Sequence, residues 1–349
     1  MTRVLQVMAG ARHGGAEAFF VRLVVALARA GMPQAAAIRT APERRRALDA
    51  AGVAVTEMRF GGALDVVTPW RLGRLVDSFR PDVALAWMSR ASRALPASPR
   101  RGHRFTRVGR LGGYYDLKYY SGCDHLVGNT EDIVDWIRGQ GWPAERVHYV
   151  PNFVDATPAP PVPRADFSTP EDAPLFLGLG RLHENKAFDV ALDALAEVPG
   201  AWFWLAGAGP LEIALKERAR RLGIADRVRF LGWRDDAPAL IAAADAVLCP
   251  SRIEPLGNVV IEAWAHGRPL VAARARGPEA LVTDGLDGLL APVDDAPALA
   301  AAMRRVAGDR ALAAALAEGG RAAHRDRFAE AAIVARWREF LERVAPCAA

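Results

Sequence analysis

The chain has 349 residues, 51% hydrophobic and 24% charged, an ordinary globular composition with length enough for two domains that each bury a core. Its formal net charge of +5 is held unevenly: residues 1–165 carry 23 Lys and Arg against 14 Asp and Glu, and residues 166–349 carry 22 against 26. No apolar run is long enough to cross a membrane, and three widely spaced cysteines (Cys123, Cys249, Cys347) exclude a disulfide framework or a cysteine metal site, so the chain reads as cytoplasmic.

In chain order, short apolar runs alternate with longer amphipathic ones. Val4–Met8 reads as a buried first strand, followed by a loop with Gly10, Gly14 and Gly15 and a helix from Ala16 to Ala30. Further strands are expected at Gln34–Ile38, Val53–Met58, Val83–Trp87, Arg107–Leu111, His125–Val127 and Val147–Val150, with helices at 43–51, 69–79 and 131–140 between them. This is the strand and helix alternation of a parallel, helix-covered sheet. Six prolines between Thr157 and Pro174, without periodicity, mark a linker.

A second series then begins. Strands are expected at Leu175–Leu179, Trp202–Ala206, Val228–Leu231, Ala246–Cys249 and Leu270–Ala273, with helices at 188–198, 211–222 and 236–243 and a helical turn at 278–282. Three helices near 295–307, 310–325 and 329–345 close the chain. The fold class is α/β: two Rossmann-like, doubly wound domains facing across a cleft, with ligands outside the carboxyl ends of the strands.

Between Asp82 and Asp116 there is no acidic residue, while Arg90, Arg93, Arg100, Arg101, Arg104, Arg107 and Arg110 fall in that interval. Such a run suits a peripheral position on an anionic inner membrane face, an anionic substrate, or simply a solvated arginine-rich surface. Nucleic acid is not expected, because no aromatic stacking motif or recognition-helix pattern accompanies the arginines.

The second half places glycines where strands end: Gly178-Leu179-Gly180-Arg181, then Gly207-Ala208-Gly209-Pro210, then Glu254-Pro255-Leu256-Gly257. Each alone is turn chemistry. Arg181 and Lys186 stand beside them, and a cation at a helix entrance is unfavourable unless an anion such as a diphosphate is there. In Ser251–Ala263 a Pro and Gly turn opens a helix near Gly257 or Asn258, with Glu254 just before it and Glu262 inside. The first amides of such a helix suit a phosphate or a ring of hydroxyls, although two acidic residues at a helix start are also common on dipole grounds alone.

The order Gly180-Arg181-Leu182, Lys186, Gly207-x-Gly209-Pro210, Phe230-Leu231-Gly232, Pro250-Ser251, Glu254-x-x-Gly257, Glu262-Ala263, Gly267-x-Pro269 and Gly288 resembles the retaining nucleotide-sugar glycosyltransferases of family four, which have the GT-B fold. The resemblance covers almost all of residues 175–345. The N-terminal half carries it through Gly14-Gly15-Ala16-Glu17, Asn129-Thr130 and Val150–Asp155. It implies an N-terminal acceptor-binding domain over 1–156, a linker over 157–174, a nucleotide-sugar-binding domain over 175–328, and a C-terminal helix over 329–349 packing back on the first domain.

The resemblance further implies that Arg181 and Lys186 bind the donor diphosphate. Glu254 and the amides of Leu256, Gly257 and Asn258 would hold the donor sugar, and Glu262 the ribose. Gly15, Gly180, Gly207 and Gly209 belong to the same donor set, with Trp233 and Arg234 where this fold seats the base. Arg181, Lys186 and Glu254 are the expected catalytic residues; His13, Arg110 and Tyr114 are expected on the acceptor side, Tyr114 within a tyrosine cluster that also reads as core packing. Family members carry a strand-end histidine in the first domain, and the matching strands here, Ala84–Arg90 and Val108–Tyr114, contain none. The expected activity is transfer of a sugar from a nucleoside diphosphate donor to a saccharide or lipid-linked acceptor in lipopolysaccharide or envelope polysaccharide synthesis, with no cofactor and no metal. An epimerase or phosphorylase of the same fold, and a nucleotide-sugar-binding protein without catalysis, are the alternatives.

Overall fold

The computed structural model describes residues 1–12, 14–61 and 65–346. These divide into two compact units, Met1–Phe153 with the C-terminal segment from Glu330, and Val154–Ala329.

In the first unit the strands are β1 (Val4–Met8), β2 (Gln34–Arg39), β3 (Ala54–Met58), β4 (Val83–Trp87), β5 (Thr106–Leu111), β6 (His125–Gly128) and β7 (Val147–Tyr149). The helices between them are α1 (Gly15–Arg29), α2 (Pro42–Ala50), α3 (Val67–Phe79), α4 (Met88–Ala94) and α5 (Glu131–Gly139). The strands form one parallel sheet in the order β3-β2-β1-β4-β5-β6-β7. Because both faces of such a sheet are covered by helices, its strands are apolar throughout rather than alternating, as the fully buried Val4–Met8 and Val83–Trp87 show. Val4, Met8, Leu85 and Trp87 enter one core layer and Leu5, Val7, Ala84 and Ala86 the other. Gln6 is the polar exception, and it is satisfied: Trp87 Nε1 donates to its Oε1 at 2.9 Å and its Nε2 donates to Gln34 Oε1 at 2.9 Å.

The second unit contains β8 (Leu175–Leu179), α6 (Phe188–Ala196), β9 (Trp202–Ala206), α7 (Glu212–Arg221), β10 (Val228–Gly232), α8 (Ala237–Ala243) and β11 (Ala246–Cys249). It continues with α9 (Asn258–Ala265), β12 (Leu270–Ala273), α10 (Arg276–Leu281), β13 (Leu289–Ala291), α11 (Ala296–Gly308) and α12 (Arg310–Arg327). Its six parallel strands lie in the order β10-β9-β8-β11-β12-β13. In each sheet the strand order reverses once, between β1 and β4 in the first and between β8 and β11 in the second, which is the doubly wound arrangement expected from the sequence.

Helix α13 (Glu330–Val344) leaves the second unit and completes the first. Its Ile333, Trp337, Phe340 and Leu341 are buried with Phe19, Leu23 and Leu27 of α1. Two elements differ from the sequence reading. The expected strand Val83–Trp87 ends at Trp87, but an unexpected helix follows it at once: Met88 adopts φ 62° and turns the chain directly into α4. A three-residue β13, which the sequence reading did not include, follows the turn closed by Gly285 N donating to Gly288 O at 2.8 Å.

The proline-rich segment also differs from a free linker. Arg164 donates to the carbonyls of Ala243, Glu171 and Ala173 and pairs with Asp245, while Trp204 Nε1 donates to Thr169 Oγ1 at 2.9 Å. Prolines remove backbone donors, and side chains of the second unit supply the ties instead.

Candidate active site

The reversal between β8 and β11 puts the carboxyl ends of two neighbouring parallel strands side by side, and their outgoing loops carry the candidate residues. β8 runs into Gly180, Arg181 and, five residues on, Lys186; β11 runs into Ser251 and Glu254.

The β8 and β9 loops lie against one another. Gly180 N donates to Ala206 O at 3.0 Å and Leu182 N to Ala208 O at 3.1 Å. A Cβ on Gly207 would stand 1.8 Å from Gly180 O, and one on Gly209 2.3 Å from Leu182 O, so no side chain fits at either position. Lys186 ends a short 3-10 turn, and its stem passes over Gly180, where an added Cβ would be 3.3 Å from Lys186 Cε.

Lys186 Nζ forms an ion pair with Glu254 Oε2, with the two side chains 25% and 12% exposed. Burial pulls the lysine pKa down, but the charge and hydrogen bond of Glu254, with a further contribution from Glu262, outweigh it and the net shift is upward. Ser251 Oγ reaches Glu254 Oε2 at 3.4 Å, and the Glu254 carbonyl accepts from Gly277 N at 2.8 Å. Gly257 takes φ 87° as the N-cap of α9 and offers no side-chain cap to its first turn; the left-handed conformation is the reason for glycine there. Leu256 is buried, and Asn258 and Glu262 are half-buried on α9. The structure therefore brings Lys186, Glu254, Glu262, Gly180, Gly207, Gly209, Leu256, Gly257 and Asn258 together at one strand-end crevice. Arg181 is exposed beside them and makes no ion pair with a described residue.

One element of this site went unassigned in the sequence. Arg252 forms a fork with Asp189 (2.7 and 3.0 Å), pairs with Asp294 at 2.5 Å and donates to Glu184 O at 3.0 Å. Its backbone N donates to Asn185 O at 2.9 Å. It thus ties the turn that carries Lys186 and the start of α6 to the loop that carries Glu254. An arginine two residues before a site glutamate, with Asp189 in the first turn of the next helix, was the only available signal. Gly277 was also missed: a Cβ there would be 2.4 Å from Glu254 O.

The remaining expected residues have other partners. Trp233 is 47% exposed and its Nε1 donates to Asp235 at 2.9 Å, while Arg234 makes a double hydrogen bond to Asp236. In the first unit Gly15 opens α1, and Glu17 folds back so that Ala11 N donates to its Oε1 at 2.7 Å. His13 lies outside the described residues. Arg110, expected to touch the acceptor, is instead 1% exposed: Nη2 donates to Asn152 Oδ1 at 2.5 Å, and the guanidinium lies 5.1 and 4.8 Å from the Phe19 and Trp87 ring centroids. Burial pushes its pKa down to about 10. A charge so enclosed holds the fold and presents no surface to a ligand. Tyr114 donates to Asp132 and sets its ring edge-on to Trp136, tying the turn after β5 to α5. The arginine run is likewise no uniform surface, since Arg107 pairs with Asp124 and both Arg100 and Arg101 with Asp77, while Arg90, Arg93 and Arg104 are exposed.

Comparison with known proteins identifies the family. Residues 173–309 match the glycosyl transferases group 1 family, and residues 14–152 match the glycosyl transferase 4-like domain. The chain is 40% identical to the lipopolysaccharide core biosynthesis glycosyltransferase LpsD of Rhizobium meliloti (strain 1021), over 95% of this chain and 96% of that one. It is 37% identical to LpsE of the same organism, named likewise, over 88% and 90%. Among solved structures, Anabaena HepE in complex with UDP-glucose superposes with a TM-score of 0.85 at 22% identity, covering 98% of this chain and 100% of that one, which shows the shared GT-B fold. With both halves matched by family models and a full-length relative at this identity, the chain belongs to the family-four glycosyltransferases.

Proposed function

We propose that the chain transfers a hexosyl group, with retention of anomeric configuration and without a metal ion, from a uridine diphosphate sugar to a saccharide or lipid-linked acceptor during assembly of the lipopolysaccharide core. The observation that carries this reading is the strand reversal of the second unit, where Lys186, Glu254 and Glu262 meet the β8 and β9 loops, packed on one another through Gly180, Gly207 and Gly209. The names of LpsD and LpsE support the acceptor class, and the UDP-glucose held by HepE supports the donor.

In this reading the C1–O bond to the diphosphate breaks as the acceptor oxygen bonds to C1 on the same face, and the acceptor proton passes to the departing phosphate. Negative charge grows on the leaving group, so Arg181 and Lys186 stabilise the transition state more than the bound donor. Lys186 reaches the phosphate by sharing its charge between Glu254 and the donor. Glu254 and the amides of Leu256, Gly257 and Asn258 hold the sugar hydroxyls, Glu262 holds the ribose, and Trp233 and Arg234 flank the base. Gly180, Gly207 and Gly209 form the turns beside the diphosphate. Two fixed cations supply the countercharge that a divalent ion would otherwise supply.

The test is release of nucleoside diphosphate from a panel of sugar donors with a lipopolysaccharide core acceptor, with the anomer of the product read by NMR. Glu254→Gln should lower kcat/KM by about 10²–10³, the scale of losing one preorganised polar contact at a reacting centre. EDTA should leave the rate unchanged. Wild-type turnover in Glu254→Gln, or no release from any donor, would sink the proposal.

A further inference from the structure

We infer that a cavity of the first unit, at the amino ends of β6 and β7, binds an acidic saccharide unit. It holds about 530 Å³, and Trp136, Trp142, Lys118, Gln140 and Arg146 line it. That volume lies within the about 300–1,000 Å³ usual for small-ligand sites. Cys123, also on its wall, stands two residues before β6, and Arg146 immediately before β7. The cavity is therefore at the end of the sheet away from the strands' carboxyl ends, where α/β folds carry their reacting ligands.

The end of α5 brings the two indoles to this cavity. Gly141 takes φ 88°, its N donates to Arg138 O at 2.9 Å, and Trp142 N donates to Ile137 O at 3.4 Å. These are the paired bonds that close a helix on a left-handed glycine, and they fold Trp142 back toward the last turn, which carries Trp136. Both rings are half-buried against the core of Tyr120, Cys123 and Ile137. Trp136 is held edge-on to Tyr114, with centroids 5.6 Å apart. The polar end of Trp142 has no such tie: its Nε1 is buried without a hydrogen-bond partner, a state that buried polar groups seldom keep. A turn of the ring that brings this N–H to a ligand oxygen recovers a bond the free protein lacks.

The polar lining selects the ligand. Arg146 is exposed and makes no ion pair with a described residue, and the exposed Gln140 amide makes no side-chain hydrogen bond to one. Lys118 pairs with Asp116 at 2.5 Å, and the same carboxylate accepts from Lys118 N at 3.0 Å. Flat rings beside donors and acceptors suit a sugar, whose C–H face stacks on an indole while its hydroxyls bond at the rim. A wholly apolar ligand would strand those polar groups. One unpaired guanidinium matches one acidic group, such as the carboxylate of a uronic acid. A nucleoside diphosphate carries more negative charge than that cation balances and would meet Asp116 as well. The inference stands on this lining and does not depend on the transferase reading.

NMR titration of the full chain, isotope-labelled at its tryptophan indoles, with glucuronic acid, glucose and UDP tests it. Glucuronic acid should shift the indole N–H signals of Trp136 and Trp142, assigned through Trp136→Phe and Trp142→Phe, with a Kd on the order of 1 mM. Glucose, which lacks the carboxylate, should bind about tenfold more weakly. Arg146→Gln removes an exposed, unpaired side chain and so keeps the fold; it should weaken glucuronic acid about tenfold and leave glucose unchanged. Donor turnover should be unaltered in Arg146→Gln, so a failure of this cavity to bind is distinguishable from a failure of the proposed reaction. No shift with glucuronic acid, equal binding of glucose, or unaltered affinity in Arg146→Gln overturns the inference. Tighter binding of UDP at these two signals would assign the cavity to a nucleotide and also overturn it.

Discussion

At the scale of single residues, the candidate site depends on groups that touch no reacting atom. Arg252 has four acceptors on three segments, Asp189 Oδ1 and Oδ2, Asp294 and the Glu184 carbonyl, and so fixes how far the Lys186 turn stands from the Glu254 loop. It is a positioning residue. Arg252→Met leaves two carboxylates without their shared cation and frees both loops; because a displacement of about 1 Å costs about a hundredfold in a preorganised site, kcat/KM for donor turnover should fall tens- to a hundredfold. Arg252→Lys keeps the charge but loses the fork, and should recover part of kcat. Unchanged kcat in the methionine variant, with only a lower Tm, would show that the network serves stability alone. Arg252 was in plain view in the sequence beside Glu254, yet nothing in its spacing says that Asp189, sixty-three residues away, is its partner. Arg110 teaches the opposite lesson. Its place at a strand end read as exposure, but the rings of Phe19 and Trp87 and the amide of Asn152 enclose it, and those partners come from three distant segments.

Among the elements, strands and helices were legible because period-2 and period-3.6 patterns are local properties of the chain. β1, β4, β8, β9, β11 and β12 begin and end where the apolar runs do. α4 was not legible, since Met88 takes a left-handed conformation that a methionine does not announce, and β13 was too short to carry a pattern. The seam between β7 and α13 gives a prediction of its own. His125 Nδ1 and His148 Nε2 are 3.0 Å apart, and the His148 ring lies 4.7 Å from the ring of Phe340 on α13. Burial first, then His125, Arg343 and Arg138, push the His148 pKa down to about 4. A base whose folded pKa is depressed contributes stability that is present above its ordinary value near 6.5 and is lost as pH falls toward the folded value. Denaturant unfolding of the first unit should therefore show stability declining between about pH 6.5 and 4, and His148→Phe should flatten that decline. An unaltered profile in the variant would place the acid sensitivity elsewhere.

For the whole molecule, the order of strands in the two sheets explains why a site could be read from sequence at all. Loops after β8 and β11 are far apart in the chain but adjacent in space, because the crossover rule for parallel sheets puts the reversal there. Glycine turns at strand ends, with the family resemblance, therefore pointed to the proposed donor side. The acceptor side had no such guide. Its expected residues were His13, outside the described residues, Arg110, which is internal, and Tyr114, which is committed to Asp132 and Trp136. The discontinuity of the first unit yields one more test. Trp337 is fully buried against α1, and Trp337→Ala should cost about 3–5 kcal/mol, the range for deleting a large aromatic side chain from a core. Hydrogen exchange should show the loss in residues 1–153 and leave the sheet of the second unit protected; equal loss in both units would refute the assignment.

That discontinuity also sets a timetable. On the ribosome the usual order is that the first domain to emerge folds first. Here residues 1–153 emerge with the place of Ile333, Trp337 and Phe340 still open, and they wait while the whole of Val154–Ala329 is translated. The second unit, continuous in the chain, has everything it needs before α13 exists. The proposed donor-side crevice is thus the part of the protein that can be finished during synthesis, while the first unit spends that interval with part of its apolar interior uncovered and within reach of chaperones.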